Sequence, residues 1–104
     1  MIKHIVLWKL REFSSREEKF LTAKSLRNKL LEMKDAIPEI RDVEVGINDS
    51  KASPSNYDVI LITRFLNWED LQAYKVHPAH QDLVEYLQNI RELRVAVDYE
   101  ESGA

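Results

Sequence analysis

Two segments of this chain are apolar on both faces, and that limits its possible folds more than any other feature. Side chains alternate across a strand. In residues 2–10, Ile5 and Leu7 fall on one side, and His4, Val6, Trp8 and Leu10 on the other. In residues 57–65, Tyr57, Val59, Leu61 and Phe65 share one side and Ile60 and Ile62 the other. Strands of this kind need cover above and below, so both are predicted at the centre of a sheet.

The remaining segments fit around them. Residues 43–48 alternate cleanly, with Val43, Val45 and Ile47 opposite Glu44, Gly46 and Asn48, which predicts a half-buried edge strand. A last strand covers 93–99, with Leu93, Val95, Val97 and Tyr99 aligned. Between the first two strands, Ser14 or Ser15 offers an N-cap with Glu17 or Glu18 completing a capping box. The helix that follows carries Phe20, Ala23, Leu26, Leu30, Met33 and Ile37 at steps of three and four, and Pro38 ends it. Residues 48–56, rich in Ser, Asn and Asp with Pro54, form a loop. Asn67 caps a short helix from Trp68 to about Tyr74, and His77-Pro78 interrupts it. Proline suits the first turn of a helix, so a further helix runs from Pro78 to about Asn89. Residues 100–104 are expected to be a frayed tail.

The order is β-α-β-β-α-β, which predicts an α+β, ferredoxin-like arrangement: a four-stranded antiparallel sheet with the helices on one face. The 104 residues make one domain. The second sheet face would be an apolar patch too wide to leave in water. Its simplest cover is a second copy, a homodimer closing two sheets into a barrel.

Composition removes several functions. There is no cysteine, hence no disulfide, thiolate chemistry or cysteine-based zinc site. Net charge is −3 with both signs interspersed and no basic stripe carrying aromatics, so no nucleic-acid partner is expected. No apolar run approaches the roughly 20 residues of a membrane helix, and the opening apolar run is closed by Lys9 and Arg11. The expectation is a cytoplasmic domain with no membrane contact.

Chemistry concentrates in residues 74–80, Tyr-Lys-Val-His-Pro-Ala-His, which hold two of the three histidines. His80 shares a stripe with Val84 and Leu87, so it is predicted to face inward. His4 lies on a strand face with Val6 and Trp8, and Tyr74 ends the preceding helix. If that strand face is the helix-covered one, the three look into one space, where an imidazole beside a phenol can act as an acid–base pair next to a carbonyl. An inward histidine can equally serve by hydrogen-bonding a backbone carbonyl, and His77 is expected to cap the helix that Pro78 opens. His77 and His80 lack a third metal ligand, so neither a metal nor another cofactor is expected.

Residues 2–6 (Ile-Lys-His-Ile-Val), 37–48 from Ile-Pro-Glu-Ile to Glu-Val-Gly-Ile-Asn, and 74–80 together resemble the stress-responsive A/B barrel family, also called Dabb. Residues 57–61 and 95–99 extend the resemblance over essentially the whole chain. It implies a ferredoxin-like fold and a dimeric α+β barrel. Many members have no assigned function, and a few plant members are polyketide cyclases that use a His and Tyr pair between sheet and helices. Those roles fall on His80 and Tyr74, and the pocket's opening-strand histidine on His4. Further polar positions of the cyclase pocket correspond to apolar residues such as Leu30 and Val59. The resemblance therefore implies a homodimer of uncertain biochemical role with a small hydrophobic ligand pocket lined by His4, Val6, Trp8, Leu30, Val59, Val84 and Leu87. A lyase or cyclase using His80 and Tyr74 is the alternative.

Overall fold

The computed structural model describes residues 1–101. Its elements run β1 (Ile2–Leu10), α1 (Arg16–Ala36), β2 (Asp42–Ile47), β3 (Val59–Phe65), α2 (Trp68–Val76), α3 (Pro78–Gln88) and β4 (Arg91–Glu100). The sheet order is β2-β3-β1-β4 with every pairing antiparallel. The two strands apolar on both faces, β1 and β3, are the central pair, and β2 is an edge. The third strand starts two residues later than its pattern suggests, because Tyr57 precedes the first paired position, Trp8 opposite Val59.

The register fixes which face each side chain serves. Ile2, His4, Val6, Trp8 and Leu10 are buried on the helix-covered side together with Val59, Leu61, Thr63 and Phe65. Helix α1 supplies Ala23, Leu26, Leu30 and Met33, and Ile37 follows as its C-cap. Ser15 is the N-cap, accepting a hydrogen bond from the Glu18 N–H at 3.1 Å. Phe20 departs from the expected stripe. It is 48% exposed beside the open cleft between the start of α1 and the β2–β3 loop, with Lys24 Nζ 5.3 Å over its ring.

On the opposite face Ile5, Leu7, Ile60 and Ile62 lie half-buried, because no helix reaches them. The pairings of Ile5 with Val97 and Leu7 with Val95 extend this row onto β4, where Leu93, Val95, Val97 and Tyr99 are all exposed. Gly46 belongs to the same surface: a Cβ there would meet Ile60 Cγ2 at 3.0 Å, so a larger residue would crowd it. Arg64, paired with Asp42 at 2.8 Å and Glu101 at 3.0 Å, gives this face a charged end.

Strand β4 is also bare on its helix side. Glu92 to Val97 are exposed without interruption, since the helical layer lies over the other strands. The expected tail from Glu100 begins later: Glu100 ends β4 and the Glu101 N–H donates to the Met1 carbonyl at 2.9 Å. Residues 102–104 of that expected tail lie outside the described residues. Among the described residues no helix is long and apolar enough to cross a membrane.

Candidate functional site

The site is built by the break between α2 and α3. Had α2 continued, the Lys75 carbonyl would have accepted from the Ala79 N–H, four residues on. Pro78 has no N–H and His77 sits in extended backbone, so the helix stops. The Ala79 N–H instead donates to His77 Nδ1 at 3.1 Å, which makes His77 the N-cap of α3. The stranded Lys75 carbonyl is taken by His80 Nδ1 at 3.0 Å and Gln81 Nε2 at 2.9 Å.

That contact fixes the state of His80. A carbonyl only accepts, so Nδ1 carries the proton and Nε2 keeps its lone pair in the neutral ring. Burial pushes the His80 pKa below its ordinary value, with the Lys75 carbonyl opposing, so the ring is neutral at pH 7. The backbone-bonding and proton-accepting readings of an inward histidine thus coexist, one on each nitrogen. His80 is less inward than its stripe predicts. The buried stripe of α3 is Leu83 and Leu87, continued by Ile90, while His80 and Val84 are half-buried along its margin.

His80 meets the ring of Tyr74, and two further rings pack against Tyr74. The His80 centroid is 4.4 Å from that of Tyr74, and Tyr74 lies 5.0 Å from Phe65 and 5.7 Å from His4. Tyr74 is 1% exposed, and burial raises its pKa above the ordinary phenol value, so it stays protonated. His4 is buried, and its Nδ1 bonds to Asp98, which faces it across the β1–β4 ladder. Burial lowers the His4 pKa despite the carboxylate, so Nδ1–H donates to Asp98 from a neutral ring. Asp98 also approaches Lys75 Nζ at 3.6 Å.

The structure therefore brings His4, Tyr74 and His80 into one cluster. Of the other expected lining residues, Val6, Trp8, Leu30, Val59 and Leu87 are packed into the core, and Val84 is half-buried. A cavity of about 720 Å³ lies between α1 and the β2–β3 loop, and one of about 260 Å³ between α1 and α3. Neither is lined by His4, Tyr74 or His80. Among the described residues no group of three or more His, Asp or Glu side chains is placed to hold a metal ion.

The pattern reading missed Asp98, Lys75 and Phe65. Phe65 shares the alternation of Val59 and Leu61. Asp98 shares its strand face with Arg94 and Ala96, opposite the aligned Val95, Val97 and Tyr99, and becomes a partner of His4 only once the register is known.

A four-stranded antiparallel sheet with helices on one face and this order of strands defines a ferredoxin-like α+β protein. The model of the Stress responsive A/B Barrel Domain family matches residues 2–101, and the chain belongs to that family. A dimeric protein of unknown function with a ferredoxin-like fold from Bacteroides fragilis is 35% identical, covering 96% of this chain and 95% of that one at a TM-score of 0.83. A Dabb family protein from Mesorhizobium loti shares the fold at 22% identity, 98% and 97% coverage and a TM-score of 0.75. The hydroxynitrile lyase of Passiflora edulis shares it at 12% identity, 99% and 94% coverage and a TM-score of 0.75. No curated protein matches the sequence.

Proposed function

We propose that the protein is a homodimer, paired through its open sheet face, that binds a small, largely apolar molecule at the His4–Tyr74–His80 cluster. One observation carries the ligand site: a half-buried His80, its Nε2 lone pair without a partner among the described residues, leans on a buried phenol at the margin of the helical layer. Apolar surroundings with a few convergent polar groups suit small-ligand binding. The homodimer is supported by the exposed row of Leu93, Val95, Val97 and Tyr99, and by the Bacteroides relative, which is described as dimeric. Native mass spectrometry of the purified protein tests the ligand site. A co-purified small molecule that is released on activation, and is absent from His80→Ala, is the expected result. An empty wild-type protein to which no apolar small molecule from a broad set binds would overturn the reading.

A second reading, a lyase or cyclase, is favoured by the pairing of a neutral imidazole base with a protonated phenol. His80 Nε2 would take a proton from carbon next to a carbonyl, and Tyr74 would donate to the developing enolate oxygen. The fold shared with the Passiflora lyase is compatible with such chemistry. The direct test is hydrogen–deuterium exchange at the α-carbon of small ketones, followed by NMR. Catalysed exchange lost in His80→Ala and reduced in Tyr74→Phe supports it, and exchange no faster than in buffer removes it.

A further inference from the structure

We infer that Arg94 is the anion-holding arm of the His4–Tyr74–His80 site, and that the site's ligand carries a carboxylate; this rests on the ligand-site reading above. On β4 the side chains directed to the helix side are Arg94, Ala96 and Asp98, standing opposite Trp8, Val6 and His4. Asp98 is already engaged by His4 and Lys75. Ala96 is small and exposed, so on this face only a methyl group stands between Arg94 and Asp98. Arg94 itself is exposed and makes no ion pair among the described residues, although acidic side chains outnumber basic ones in the chain. Burial is the main cause of the shifted pKa values of His4, Tyr74 and His80, and the charge of Arg94 reaches all three as a smaller effect, adding to the fall at the two histidines and opposing the rise at Tyr74.

A second observation points the same way. Trp8, which faces Arg94 in the register, is 4% exposed, and its indole N–H has no acceptor among the described residues. A buried donor without a partner is uncommon in a native protein. Tryptophan N–H and guanidinium groups can only donate, and Tyr74 is held protonated. The cluster and its neighbours thus offer the indole N–H, the phenol O–H and the several N–H groups of the guanidinium against two ring lone pairs, on Nε2 of His80 and of His4. A complementary ligand must bring several acceptor oxygens, and a planar carboxylate is the group that the arginine fork matches in two parallel hydrogen bonds. Four residues of strand separate Arg94 from Asp98, roughly 13 Å. That leaves room for an apolar ring or short chain between the carboxylate and the rings of Tyr74 and His80.

Titration with benzoate and with its neutral ester, methyl benzoate, tests this, reading the ring resonances of His4 and His80 by NMR in the wild type, Arg94→Gln and Arg94→Lys. Arg94 is exposed, so neither substitution should disturb the fold, which circular dichroism checks. Benzoate should shift both histidines, with affinity falling about tenfold or more in Arg94→Gln and partly restored in Arg94→Lys. Methyl benzoate should bind more weakly to the wild type and be indifferent to Arg94→Gln. Equal binding of acid and ester, or unchanged benzoate affinity in Arg94→Gln, would overturn the role of Arg94 while leaving the ligand site standing. Failure of both probes to move either histidine would overturn both.

Discussion

Replacing Val97 with Asp places a carboxylate on the uncovered sheet face next to Ile5, and it should dissociate the proposed homodimer without unfolding the protomer. Leu93, Val95, Val97 and Tyr99 are 48%, 47%, 59% and 40% exposed, so each keeps about half of its burial in reserve. Full burial of such a side chain is worth about 1.5–3 kcal/mol, so covering the exposed half gains roughly 1 kcal/mol. Across two protomers these four positions supply about 8 kcal/mol, and the half-buried Ile5, Leu7, Ile60 and Ile62 add to it. Association itself costs about 4–15 kcal/mol, so the interface has little surplus. A twofold interface buries the new carboxylate twice, at several kcal/mol each without a partner. A loss of about 4 kcal/mol already weakens dimerisation roughly a thousandfold. Val97 is exposed in the protomer, so thermal stability measured on the dissociated chain should change little. Sedimentation velocity over the micromolar range provides the assay. A well-folded wild-type monomer in that range, or a Val97→Asp dimer of unchanged affinity, would refute the reasoning.

Two other predictions address the helix break and the histidines. His77 caps α3 through Nδ1, so His77→Asn should change stability by less than about 0.5 kcal/mol, and His77→Ala should cost about 1 kcal/mol, as chemical denaturation will read. His4 and His80 have pKa values lowered by burial, so below the ordinary histidine value of 6.5 the unfolded chain binds more protons than the folded one. Stability should therefore be full above about pH 6.5 and fall as pH drops from there through the lowered folded values. Denaturation midpoints between pH 7.5 and 5 should show a shallower decline in His80→Gln than in the wild type, and equal slopes would contradict the assignment.

Much of the architecture is written in local pattern. The double-faced runs around Val6 and Leu61 place the two central strands, the polar alternation of Glu44 and Gly46 marks an edge, and Ser15, Asn67 and Pro78 punctuate the helices. Patterning says which face of an element is apolar, but not how far its neighbours extend. Phe20 has the right spacing for the core and yet stands beside an open cleft, and nothing in the sequence of β4 announces that the helical layer stops short of it. The site was legible in part for the same reason. His80 and Tyr74 are near neighbours in the chain, so the break at His77-Pro78 nearly dictates their meeting. His4 and Asp98 are 94 residues apart, and only the β1–β4 register joins them. The state of His80 depends on a carbonyl left unsatisfied by the helix stop, a consequence of backbone geometry that residue types alone do not reveal.

The central claim is that His80 is a neutral ring protonated on Nδ1, with Nε2 free to meet a ligand. Long-range proton–nitrogen NMR of the histidine rings at pH 7 tests it most directly. The structure predicts the Nδ1–H tautomer for His80, with Nε2 unprotonated and the resonance that moves when a small molecule binds. A His80 protonated on both nitrogens at pH 7, or carrying its proton on Nε2, would contradict it.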